Sequence, residues 1–351
     1  MLLSAFLDSS HAATCHRVRG RRGVLPVLFF LLLLLLLFSF AWGRYDVPLA
    51  QVPRILLSRL LPIPCTWTSA MEASVLHIRL PRILLACLVG GALSLAGAAY
   101  QSVFHNPMAA PDILGASSGA CFGAALAILL ELGRSGTVLT AFAFSLLSVA
   151  LVYLAGSRCR GSRVIGILLA GVMVSSLFSA GTSWIKLLAD PGEKLPAITY
   201  WLMGSLAGAR TSELGFAAAA MAPGALPLLL LGWRINLLTL REEEARSMGV
   251  HTGRLRLAVI LCATLLTAAS VSVSGMIGWV GLVVPNLSRK LSGNNCRDLF
   301  PTVLVLGALF LLLTDDLSRN LMATEIPIGI LTAFVGVPFF LLIMAGKDCA
   351  S

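Results

Sequence analysis

Residues Leu237–Arg256 read LLTLREEEARSMGVHTGRLR, a charged island between two long apolar runs, 214–233 and 255–274. Each run is long enough to cross a bilayer, so a segment this polar must lie in water, against whatever the protein works with. The island therefore predicts a membrane protein whose polar work is done between spans.

Composition agrees. Of 351 residues, 58% are hydrophobic and only 12% charged, and the mean hydropathy is +0.90. A soluble domain of this length does not combine so few charges with so many apolar side chains. The runs are continuous rather than alternating at ten-residue intervals, which selects an all-α polytopic protein over a membrane β-barrel. The net charge of +10 is spread between the runs rather than gathered into a stripe. Topology and contact with anionic lipid explain it better than nucleic acid does. The eight cysteines are scattered without CxxC or a Cys/His cluster, so neither a metal site nor a disulfide framework is indicated.

Residues 1–23 carry His11, His16, Arg17, Arg19, Arg21 and Arg22, and the run Val24–Gly43 follows with seven consecutive leucines. It is too long for a signal-peptide core and no small-x-small site follows, which predicts an uncleaved first span with a cytoplasmic N-terminus. Further spans are expected at 83–104, 113–131, 136–156, 164–188, 214–233, 255–274, 276–291, 301–317 and 326–345, making ten, with both termini cytoplasmic. This arrangement puts sixteen of the 26 Lys and Arg residues on the cytoplasmic side, in moderate agreement with the positive-inside bias. The domain reading is a cytoplasmic tail over 1–23, one ten-span membrane unit over 24–345 containing the polar cytoplasmic loop 234–256, and a cytoplasmic tail over 346–351. Residues 44–78, with four prolines, suit an outer loop with short surface helices. Residues 196–209 are apolar but short, as in a re-entrant or interfacial helix.

Small residues recur every fourth position at Gly115, Gly119 and Gly123, at Gly90, Ser94 and Ala98, and at Gly171, Ser175 and Ser179. Such spacing serves close helix packing or the lining of a pathway. Gly275, Gly278 and Gly281 recur every third position with Pro285 close behind, which predicts a bent or broken helix bordering a cavity.

The sequence contains no GxSxG, HExxH or GxxxxGK[ST], and no paired buried carboxylates are expected, so neither hydrolytic chemistry nor P-loop binding of ATP is indicated. Ionisable residues within spans are few: Glu131, Lys186, Asp315, Asp316 and Glu325, mostly near span ends, with Asp315 and Arg319 spaced to pair on one helix. This argues against an ion-coupled relay, although a secondary transporter acting without an ATPase stays open as the alternative. It favours a bulky cargo moved by an outside source of energy.

Seven motifs occur in order: Ile78-Arg79-Leu80-Pro81-Arg82; Asn106-Pro107-Met108-Ala109-Ala110-Pro111; Leu114-Gly115-Ala116-Ser117-Ser118-Gly119-Ala120; Leu168-Leu169-Ala170-Gly171-Val172; Glu243 to Val250; Gly278-Trp279-Val280-Gly281-Leu282-Val283-Val284-Pro285; and Glu325 to Thr332. Together they resemble the membrane permeases of ABC importers for iron-siderophores, haem and vitamin B12, over about residues 24 to 345. The resemblance implies a homodimer of ten-span subunits in the bacterial or archaeal cytoplasmic membrane, with a pathway lined partly by span 164–188. It also implies two cytoplasmic ATPase subunits that bind ATP and Mg, no cofactor on this chain itself, and a periplasmic or lipid-anchored binding protein.

It assigns ATPase coupling to Glu242, Glu243, Glu244, Ala245, Arg246, Gly249 and Val250, where the residues alone already predict a short exposed helix stopped by Gly249. It assigns docking of the binding protein to Arg79, Arg82 and Arg319. Without the resemblance, Arg79 and Arg82 could equally be interfacial anchors. Asn106, Pro107, Gly115, Gly119, Gly171, Gly278, Gly281, Pro285, Asn286 and Arg289 are the pathway or structural motif residues. The chain departs from the family pattern at Asn286, where histidine is usual, at Ala110, where an acidic residue is common with Asp112 nearby here, and at Asp316, added beside Asp315. The cargo, whether a siderophore, haem, cobalamin or an oxyanion, is expected to be selected largely by the separate binding protein.

Overall fold

A computed structural model describes residues 23–345 apart from 44, 59–63, 159–162, 240–241 and 323. Of the expected tails over 1–23 and 346–351, all but Gly23 lie outside the described residues, as do Cys15, Cys159 and Cys349. Among the described residues the regular structure is entirely helical: α1 Val24–Ala41, α2 Gln51–Leu57, α3 Ser69–Ala73, α4 Leu80–Phe104, α5 Ala116–Leu129, α6 Gly133–Ser157, α7 Arg163–Leu188, α8 Lys194–Leu202, α9 Thr211–Leu230, α10 Gly232–Asn236, α11 Glu242–Ser247, α12 Thr252–Ser274, α13 Val280–Ser292, α14 Cys296–Asn320 and α15 Ile328–Ala345. Seven are long and apolar enough to span a bilayer, α4 being extended at its start by α3 and a π-turn over Ser74–Arg79; α5 and α15 are shorter apolar helices. With α13, helices occupy all ten expected positions. In the 44–78 segment α2 is a separate short helix as expected, whereas from Ser69 the chain is already the start of the long helix that runs to Phe104.

Three boundaries shift, each for a local reason. The span expected at 113–131 begins at Ala116, because Pro111–Leu114 form a 3-10 turn and Gly115 turns left-handed at φ 75°. The span expected at 276–291 begins at Val280. The run 214–233 ends at Leu230 and bends into α10.

α4 is the hub. Its sequence is rich in Gly, Ala and Ser, so neighbours approach to backbone distance, and it is buried along most of its length. A Cβ at Gly97 would overlap the carbonyl of Gly281 on α13, and one at Gly90 that of Gly307 on α14. Tyr100, fully buried, hydrogen-bonds Thr264 of α12 at 2.9 Å, which satisfies its hydroxyl in an apolar interior. α1 is apolar all round and largely exposed, as suits a helix facing lipid.

The predicted break is present. α12 stops at Gly275 (φ 70°), and Trp279 adopts φ 69° before α13 begins. Non-helical backbone at membrane depth must find partners within the protein. Here Ser205 N–H donates to the Ser274 carbonyl at 2.8 Å, and Ile328 N–H to the Gly204 carbonyl at 2.9 Å. The end of α8, the break and the start of α15 are thus tied together, and the short helix expected near 196–209 is one strand of that tie.

Candidate functional site

At the far end of α4 the motif residues converge. Asn106 Oδ1 accepts the Met108 N–H at 2.9 Å, which closes the turn leaving α4. Asn286 donates to the Pro107 carbonyl at 3.1 Å and to the Leu282 carbonyl at 2.9 Å, while Arg289 donates to Gln101. The departure at Asn286 therefore supplies an amide donor that holds the Asn106–Pro107 loop against α13. Gly281 faces Pro111, and Pro285 is buried inside α13. A cavity of about 520 Å³ lies among Asn106, Asn236, Asn286, Arg289 and Lys290.

Gly115, Gly119 and Gly171 fall in a second group. Ser148 donates to the Gly115 carbonyl at 2.8 Å, Gly119 packs on the α6 backbone at Phe144, and Gly171 on the Ile113 carbonyl. Of the two readings of the small-residue repeats, close packing is what these contacts show. Gly278, unlike Gly115, Gly119, Gly171 and Gly281, has open space around it, in the break.

The charged island, between α9 and α12, forms α11 over Glu242–Ser247. Its stop is a left-handed cap: Gly249 has φ 78°, and Val250 N–H donates to the Ala245 carbonyl at 3.0 Å. Ala245 is buried, which holds the helix to the body, whereas Glu244, Ser247 and Met248 are exposed. The side chains of Glu242, Glu243 and Arg246 lie outside the described residues. α10 anchors the loop: Asn236 donates to Asn295 at 2.7 Å and accepts the Cys296 N–H at 2.8 Å.

Arg79, Arg82 and Arg319 come together at the opposite end of α4, but not as open cations. All three are buried, at 4%, 5% and 8% exposure. Arg79 donates to the Phe40 and Tyr45 carbonyls. Arg82 holds Asp315 (Nε 3.0 Å and Nη2 2.9 Å to Oδ1) and both oxygens of Glu325 at 3.0 Å. Arg319 pairs with Asp315 at 3.2 Å, as its spacing predicted, and with Asp316. Ser39 of α1 donates to Asp316 at 2.6 Å and accepts from Arg319 at 2.8 Å. The expectation of no paired buried carboxylates is corrected here: Asp315 and Asp316 are both fully buried. Three arginines balance three carboxylates, so the group is an electrostatic knot tying α1, α4, α14 and the approach to α15. Sequence spacing exposed only the Asp315–Arg319 pair; Ser39 and Glu325 lie 277 and 243 residues from their partners, and no local pattern signals them. The pair of Arg134 with the buried Glu213, across α6 and α9, was missed for the same reason.

A cavity of about 870 Å³ opens where α7, α8, the break and α15 meet, lined by Lys186, Met203, Met276, Gly278, Trp279 and Phe334 among others. Beside it α7 presents an exposed apolar stripe, Leu169, Val172, Met173, Leu177, Trp184 and Leu187. In a bilayer such a stripe meets lipid or another helical subunit.

The profile of the FecCD transport family matches residues 31–346. The molybdate import system permease protein MolB of Haemophilus influenzae is 39% identical over 317 residues, covering 90% of this chain and 94% of that protein. The hemin transport system permease protein HmuU of Yersinia pestis is 38% identical, covering 76% and 81%. The cobalamin import system permease protein BtuC of Halobacterium salinarum is 36% identical, covering 84% and 80%. A solved inward-facing structure of a metal-chelate type ABC transporter superimposes with a TM-score of 0.83 at 37% identity, covering 93% of this chain and 99% of that one. With a helix at each of the ten expected positions and the broken α12–α13 pair bordering a cavity, the chain belongs to the FecCD transport family.

Proposed function

We propose that this chain is the permease subunit of an ATP-binding-cassette importer that carries an iron-siderophore or related metal chelate, such as haem or cobalamin, into the cytoplasm. Two copies pair around a central pathway. Two cytoplasmic ATPase subunits, which bind ATP and Mg, seat against α11, and a periplasmic or lipid-anchored binding protein delivers cargo at the end carrying Arg79, Arg82 and Arg319. The observation that carries this reading is α11: a short, capped, partly exposed helix joining two spans, in a chain whose fold and sequence match ABC permeases along nine tenths of its length.

The mechanism follows from rigidity. α10 is fixed to the start of α14, and α11 leads directly into α12, so a push on α11 reaches the break at Gly275 through a continuous helix. The break is where α12, α13 and α15 can change their mutual angle around the cavity. Relatives named for molybdate, hemin and cobalamin show that one fold serves several cargoes.

The test is reconstitution with the cognate ATPase and binding protein in proteoliposomes. ATP-dependent uptake of chelate supports the reading. Uptake driven by a proton or sodium gradient without the ATPase would establish the secondary-transporter alternative instead.

A further inference from the structure

The 870 Å³ cavity has one charged side chain among the described residues that line it, Lys186 near the end of α7. The other lining residues are apolar, glycine or proline except Thr199, whose hydroxyl is turned to the Leu195 carbonyl at 2.8 Å. Lys186 is half-buried, and no hydrogen bond or ion pair joins it to another described residue. Asp190, four residues further on and just past the end of α7, is engaged with the N–H groups of Gly192 and Glu193 at 3.0 and 2.9 Å. An ammonium on an apolar wall loses hydration without gaining a counter-charge. Across the cavity Trp279 is held at φ 69°, a conformation that costs a bulky side chain energy and that gathers at ligand clamps.

We propose that Lys186 and the walls formed by Met203, Met276, Trp279 and Phe334 make a transit site for a cargo with an apolar body and net negative charge, the ammonium meeting the anionic edge. This rests on the import reading above and narrows it: anionic chelates are passed, and uncharged ones gain nothing from Lys186. Charge complementarity in a low-dielectric wall makes the contact strong enough to select and, being a single contact, weak enough to release.

The complete complex in proteoliposomes, as wild type, Lys186→Met and Lys186→Arg, is offered haemin, a ferric tris-catecholate, molybdate and cyanocobalamin. ATP-driven uptake of haemin or the catecholate is expected to fall about tenfold in Lys186→Met and by less than about twofold in Lys186→Arg, equivalent to one unit on a logarithmic scale of affinity. Wild-type uptake confined to cyanocobalamin or molybdate, or equal slowing of charged and uncharged cargo, would overturn the proposal. If no cargo moves at all, the import reading fails, and quenching of tryptophan fluorescence in the detergent-solubilised chain still decides the site. Haemin quenching weakened about tenfold by Lys186→Met, with haemin dimethyl ester unaffected, supports it; equal response to the two porphyrins refutes it.

Discussion

Arg82, one turn into α4, grips Asp315 near the end of α14 by two nitrogens, at 3.0 and 2.9 Å, across 233 residues of sequence. Both side chains are buried. Arg319 still faces Asp315 and Glu325 still faces Arg82 when one partner is removed, but the buried group is left one charge out of balance, which costs up to about 3–5 kcal/mol, whereas replacing both with apolar residues keeps the charges balanced and costs less. Arg82→Met and Asp315→Leu should each lower the thermal midpoint of the purified protein sharply, and the double variant should recover much of the loss. Simple addition of the two effects would show that the pair is not coupled.

Glycine positions separate by what surrounds them. Gly97→Ala drives a methyl into the Gly281 carbonyl and should cost about 1–3 kcal/mol as α4 and α13 are forced apart. Gly253→Ala, exposed in the first turn of α12 with nothing near its added carbon, should be neutral or gain up to about 1 kcal/mol. Midpoints in detergent give both signs, and a stable Gly97→Ala would deny the close approach.

How far the sequence foretold this follows from the range of each interaction. Apolar runs, the Gly275–Gly281 break and the EEEAR helix with its Gly249 stop are local features, legible because bilayer thickness and backbone geometry act on neighbouring residues. The arginines at 79, 82 and 319 were brought together only by the family resemblance, and of their surroundings only the Asp315–Arg319 spacing was legible. Ser39 and Glu325 reach them only after α1, α4 and α14 have packed, and no spacing rule connects such distant positions. Span starts at Ala116 and Val280 were misjudged because hydropathy continues smoothly through a turn whose backbone does not.

The α11 cap makes a second kind of test possible. Gly249 at φ 78° cannot accept a side chain without strain of about 1 kcal/mol or more. Gly249→Val should fray the last turn of α11 and leave the membrane core intact, so ATP-driven uptake falls while the thermal midpoint moves little. Charge reversal at Glu243 or Arg246 should likewise weaken ATPase binding or uncouple hydrolysis from uptake. Full coupling in every one of these variants would remove α11 from the mechanism.

The Glu131–Lys194 pair gives a pH dependence. Glu131 follows α5, and the Lys194 ammonium lies 2.6 Å from its carboxylate and donates to the Leu129 carbonyl at 3.1 Å. The hydrogen bond, and then the charge, of Lys194 hold the Glu131 carboxyl below its ordinary value of 4.5. A carboxyl lowered on folding favours the folded form above its unfolded value, and that contribution disappears as pH falls through the folded value. The tie between α5 and α8 should therefore loosen only below pH 4.5. Hydrogen exchange of residues 129–132 against pH should show the step in wild type and none in Lys194→Met.

Glu325 sharpens the docking question. It occupies the Nη1 edge of Arg82 with both oxygens, yet its side chain is 29% exposed, while Asp315 on the inner edge is fully buried. If a binding protein presents carboxylates to these arginines, it competes with Glu325 and not with Asp315. Glu325→Gln would then weaken the internal competitor without opening the buried knot, and should tighten docking about two- to tenfold, most at low salt where surface charges are least screened. Reversing Arg79 or Arg319 is a poorer probe, because each also supports buried structure. Affinity of the binding protein for the permease complex in nanodiscs, measured at two salt concentrations, reads the effect. Weaker docking in Glu325→Gln would mean that Glu325 shapes the surface the partner recognises, and that the arginines serve the fold alone.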